Sequence, residues 1–205
     1  PSMGRAPDDK GGATRLVAVK AVSETYPLRG QLTLNSGAGT TETKVAGAPE
    51  PGSVWVDPAL LTALNLRVGD ALLLGDASLR IAKIIVIEPD RGAGFMSFAP
   101  RVMLNLADLP ATGLIQPASR VTYRLAVAAP GASDQPVRQF VEWAQAQVKS
   151  ATLRGLSVES LANGRPEMRQ TLDRAEKFLN LVALLAALLA AVAVGIASRD
   201  FASRH

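Results

Sequence analysis

Residues 178–197 limit most sharply what this chain can fold into. The run carries no charge, and Asn180 is its one clearly polar side chain. As a helix rising about 1.5 Å per residue it covers about 30 Å, the hydrocarbon thickness of a bilayer. A continuous helix satisfies its own backbone amides in lipid. A buried helix of a soluble core is the alternative, but such helices are usually shorter and rarely apolar all round. The run is read as membrane-spanning over 178–198. Lying near the C-terminal end of these residues, it is not placed as a secretory signal peptide.

One face of this helix is lined by Ala183, Ala187, Ala191 and Gly195, with Ala186 and Ala190 beside them. Small residues every four positions let a second helix backbone approach closely, which is how membrane helices associate. Alanine-rich spans also produce such stripes by chance. The packing reading implies a partner helix outside these 205 residues.

Composition excludes several functions. Without cysteine there is neither a disulfide framework nor a thiolate metal site. The net charge of +4 is not gathered into a basic stripe, and aromatic residues are only 4%, which argues against a nucleic-acid surface. Residues 1–177 suffice for one domain or two small ones. The chain opens on Pro-Ser-Met and stops shortly after the span, and it is expected to be a piece of a longer polypeptide.

Taken in order, residues 1–13 are rich in Gly, Pro and charge and predict a mobile loop. Residues 14–22 alternate as a covered strand, and Leu28, Leu32 and Leu34 mark a second over 28–34. The Gly37-Ala-Gly39 loop is followed by Thr40-Thr41-Glu42, not by the lysine and hydroxyl of a phosphate-binding loop. The most explicit local pattern begins at residue 54. A strand over 54–56 leads to Asp57 as helix cap and Pro58 at the first helical position, with Leu60, Leu61 and Leu64 on one face. Gly69-Asp70 turns into a strand over 71–74, and Gly75-Asp76 starts a hairpin into 79–87. Asp57, Asp70 and Asp76 thus read as cap and turn residues rather than an acidic site.

Further strands are expected over 101–105 and 120–128, the latter with Val121, Tyr123, Leu125 and Val127 on one face. Ser133 or Asp134 caps a helix to about Lys149, whose apolar side holds Val137, Phe140, Val141, Ala144 and Val148. A strand over 156–160 would complete a right-handed strand–helix–strand unit with parallel strands. Pro166 opens the last helix. Met168, Leu172, Ala175 and Leu179 form its apolar stalk face, and Arg169, Asp173, Glu176 and Lys177 its wet face. Nothing from Glu167 to Arg199 breaks a helix, so stalk and span are expected to form one rod of about 45 Å or more.

Catalytic chemistry is not written here. His205 is the only histidine, so no Ser-His-Asp triad and no histidine metal site can be built. Glu42, Glu50, Glu88, Asp90 and Glu159 are scattered among loops and strand ends, and nothing pairs them for hydrolysis. No catalytic, cofactor-binding or metal-binding residue is assigned.

Four stretches carry a family resemblance. They are Ala21-Val-Ser-Glu-Thr-Tyr-Pro-Leu-Arg-Gly30, Phe98-Ala-Pro-Arg-Val-Met-Leu-Asn-Leu-Ala-Asp-Leu-Pro-Ala-Thr-Gly-Leu-Ile-Gln-Pro117, Ser119-Arg-Val-Thr-Tyr-Arg-Leu125 and Arg199-Asp-Phe-Ala-Ser-Arg-His205. Together they resemble the FtsX/MacB superfamily of ABC transporter permeases, most of all its YbbP-type branch. The resemblance implies an α+β fold, a MacB-like periplasmic domain followed by a long stalk and transmembrane helix. Residues 14–30 and 118–162 would be a porter-like α/β part and 31–117 an inserted, β-rich, Sabre-like part. Residues 163–177 would be the stalk, 178–198 the second membrane helix and 199–205 the cytoplasmic exit. Residues 1–177 would lie in the periplasm of a bacterial cell with the span in the inner membrane, although Arg165, Arg169, Arg174 and Lys177 offset Arg199 and Arg204 in the charge rule.

The implied partners are an ABC ATPase subunit on a separate chain and other transmembrane helices of the permease or a second permease copy. The implied role is mechanotransmission: ATP-driven movement passed by the stalk to the periplasmic domain, for export or extraction of a lipid, lipoprotein or other hydrophobic substrate. The alternative is a membrane-anchored periplasmic binding or scaffold module with no transport cycle.

Overall fold

The computed structural model describes residues 1–37, 40–91, 98–129, 134–150, 155–160 and 166–204. Its strands are β1 (Ser2–Arg5), β2 (Thr14–Val22), β3 (Leu32–Asn35), β4 (Thr43–Val45), β5 (Ser53–Val56), β6 (Ala71–Leu74), β7 (Ala77–Ile87) and β8 (Arg101–Asn105). A short helix α1 (Pro58–Leu64) lies between β5 and β6 in sequence. All of these belong to one unit, Pro1–Ala128. A second unit, Ala129–His205, holds α2 (Gln135–Ser150) and α3 (Pro166–Arg204).

The strands run in the order β4-β3-β7-β5-β8-β2-β1-β6, and β6 pairs back onto β7. That last pairing closes six strands, β7-β5-β8-β2-β1-β6, into a ring, while β3 and β4 extend from β7 outside it. A closed ring removes free edges and gives each strand one inward and one outward row. The sheet is mixed: β2–β8 and β5–β7 are parallel, the other pairs antiparallel.

The inward rows supply the first core: Val17, Val54, Val56, Leu72, Leu74, Leu79, Ile81, Val102 and Leu104, with Leu60 and Leu64 of α1 plugged into it. Burying each such side chain stabilises the fold by about 1.5–3 kcal/mol. Helix α1 is positioned as its sequence dictates. The Asp57 carboxylate accepts the Ala59 N–H, Pro58 occupies the first turn, and Asn65 ends the helix in the left-handed conformation. A second core forms on the outward side, where Val22, Leu32, Leu34, Trp55, Ile85 and Met103 are covered with help from Tyr26, Val45, Ala48 and Ala82.

Several expectations are corrected. Residues 1–13 are not a mobile loop: β1 pairs with both β2 and β6, and a 3-10 turn follows at Asp8–Lys10. Gly4 permits this, since a Cβ there would lie 3.3 Å from Val17 Cγ1 and 3.5 Å from Leu72 Cδ1. Residues 14–22, grouped by resemblance with 118–162, instead hydrogen-bond to β1 and β8 inside the barrel. The strand expected over 28–34 begins only at Leu32, because Gly30 turns the chain at φ +81°.

Residues 120–128 and 156–160 form no strand among the described residues, so the expected strand–helix–strand unit is not made. The helix between them is present as α2, with the Asp134 carbonyl accepting the Arg138 N–H at its start. Ser133 and the Asn163-Gly-Arg165 opening of the last helix lie outside the described residues. A mixed sheet followed by helices, the last of them apolar, agrees with the expected α+β class.

Candidate functional site

Helix α3 is continuous over 39 residues, about 58 Å at 1.5 Å per residue. Its stretch Ala175–Ile196, 22 residues, is long and apolar enough to cross a membrane, and none of it is buried. A core helix of similar composition would be largely buried; this one leaves Phe178, Leu179, Leu184 and Val194, which lie on different sides of it, all exposed. The four small residues expected at a helix–helix contact, Ala183, Ala187, Ala191 and Gly195, are exposed, and a Cβ at Gly195 would meet nothing within 4 Å. The stripe is therefore open to a neighbouring helix. Of the stalk-face residues, Ala175 and Leu179 are exposed; Met168 and Leu172 lie outside the residues whose side chains are described.

The barrel unit brings together charges that the sequence scatters. Lys20 projects from the outward row of β2, one register step from Arg101 at the start of β8, because Ala18 pairs with Arg101 and Lys20 with Met103. Glu88 follows the end of β7 and bridges the two cations. Lys20 Nζ donates to Glu88 Oε1 at 2.8 Å, and Arg101 Nε donates to Oε2 at 2.9 Å. The Glu88 side chain is wholly buried. Lys20 Nζ also donates to both Asp90 oxygens at 2.8 Å and to the Tyr26 hydroxyl at 2.9 Å, and that hydroxyl in turn donates to Asp90.

The electrostatics follow from these contacts. Burial pushes the Tyr26 phenol far above its usual value, and hydrogen bonding to Asp90 and the charges of Asp90 and Glu88 push the same way. Burial alone would raise Asp90, but hydrogen bonds from Lys20 and Tyr26 and the Lys20 charge hold it below the usual carboxylate range. Two cations face two carboxylates, and among the described residues no buried side-chain N or O atom lacks a partner. The bonds of this set are made among its own members. It is a clasp joining β2, β8 and the segment after β7. Sequence reading missed it because its members are 68 residues apart; the one local signal is Lys20, a charge in an otherwise apolar alternation.

Asp57 and Asp70 have the structural roles expected of them. Asp57 caps α1 and pairs with Arg91 at 3.0 Å. Asp70 accepts the Arg67 backbone N–H, and this bond first, then Lys10, lowers its pKa. Asp76 lies in the β6–β7 turn, where its N–H donates to Thr112 O at 2.9 Å. Among the described residues no group of three or more His, Asp and Glu side chains could hold a metal.

No family model matches the chain. Over 193 residues, 93% of its length, it is 38% identical to a protein of Escherichia coli (strain K12) described as an uncharacterized ABC transporter permease, YbbP. The chain is a relative of the YbbP-type ABC transporter permeases. It spans 22% of that protein's length. The resemblance carried by residues 21–30, 98–117, 119–125 and 199–205 thus extends over 93% of the chain, and the apolar part of α3 is long enough to cross a membrane.

Proposed function

We propose that this chain is the extracytoplasmic part and one membrane helix of an ABC transporter permease, and that α3 carries movement between them. One observation supports the reading above others: a chain related to YbbP continues without a break from a polar first segment into an apolar span of bilayer length. A helix bends little when its hydrogen-bond ladder is uninterrupted, so displacement at one end reaches the other. In this reading a separate ATPase chain hydrolyses ATP, membrane helices tilt or draw together, and α3 passes the motion outward.

The chain itself is then a non-catalytic subunit needing no cofactor. Residues 1–177 lie in the periplasm and residues 178–198 in the inner membrane of a bacterial cell. The Ala183–Ala187–Ala191–Gly195 stripe packs against other helices of the permease or a second copy, and Met168, Leu172, Ala175 and Leu179 seat the stalk. The barrel corresponds to the inserted β-rich part of MacB-like domains, with β1 and β2 included, and 118–162 to the porter-like part. The substrate moved is a lipid, lipoprotein or other hydrophobic molecule.

The test is purification of the full-length protein from bacterial membranes under mild detergent. Co-purification with an ABC ATPase chain, with ATP turnover abolished by substitution in that chain's own nucleotide site, is expected. A protein that purifies alone and never associates with an ATPase would be an anchored scaffold instead.

A further inference from the structure

We draw no further inference here: the strongest candidate, the open groove on the outside of the barrel lined by Thr14, Arg15, Leu16, Phe98 and Pro100, leaves Leu16 and Phe98 exposed, and nothing among the described residues shows what covers it.

Discussion

Glu88 Oε1 accepts a hydrogen bond from Lys20 Nζ at 2.8 Å across 68 residues of sequence, and its other oxygen takes Arg101 Nε at 2.9 Å. This buried carboxylate fastens the segment after β7 to the parallel β2–β8 pair. Removing one member of a buried pair leaves uncompensated charge and costs about 3–5 kcal/mol. Glu88→Gln should therefore destabilise residues 1–128, which contain the closed ring and both cores, by about 3 kcal/mol in urea unfolding. Asp90→Asn should cost less, because the Asp90 side chain is half exposed. Equal midpoints for Glu88→Gln and the parent would mean that the clasp does not hold the barrel.

The β6–β7 turn makes a sharper steric case. A Cβ on Gly75 would sit 2.0 Å from the Thr112 carbonyl oxygen, and its φ of +60° already disfavours an L side chain. Gly75→Ala must push the 110–113 turn away and break the bond from Asp76 N to Thr112 O, at a cost of about 3 kcal/mol. At Gly113 the obstacle is Asp76 Oδ2, the end of a side chain that can swing aside. Gly52 has φ +78° but nothing within 4 Å, so Gly52→Ala should cost only about 1 kcal/mol. Thermal unfolding of the three variants should rank them Gly75, Gly113, Gly52; a larger loss at Gly52 than at Gly75 would contradict the packing described.

The clasp also sets a pH dependence with a definite sign. Asp90 is lowered in the folded state, so the unfolded chain binds the proton more tightly. Its contribution is present above the unfolded value of about 3.9 and is lost as pH falls through the lower folded value. Tyr26 is raised, so its contribution is present below the unfolded value of about 10 and is lost as pH climbs beyond it. Asp90→Asn should flatten the acid limb of the stability profile and Tyr26→Phe the alkaline limb. An acid limb unchanged by Asp90→Asn would show that other carboxylates set it.

What the sequence disclosed was local. Asp57 and Pro58 announce α1, Gly75-Asp76 announces the hairpin, and the uncharged run announces the apolar part of α3, because each signal lies within a few residues of its consequence. The closed ring was hidden because β1 looks like a polar Gly-containing loop and becomes a strand only through β2 and β6. The clasp was hidden for the same reason, Glu88 being indistinguishable in sequence from any acid at a strand end. Residues 120–128 show the reverse: the alternation of Tyr123 and Leu125 reads as a strand, yet no ladder forms there among the described residues.

The most direct test of α3 as a transmitting rod is a Gly-Gly insertion after Glu176 in the full-length permease with its ATPase chain. Two interior glycines cost about 2 kcal/mol of local helix stability and rotate Leu179 out of line with Met168 and Leu172. With labels on Ala63→Cys in the barrel unit and Arg199→Cys at the far end of the helix, the ATP-dependent change in their separation can be followed. Basal ATP hydrolysis should survive the insertion, the barrel should stay folded, and the ATP-dependent change should disappear. Arg174→Ala and Lys177→Ala, which leave the helix continuous, should keep it. An undiminished ATP-dependent change in the Gly-Gly variant, with loss in either alanine variant, would contradict the rod and make Arg174 or Lys177 the functional residue.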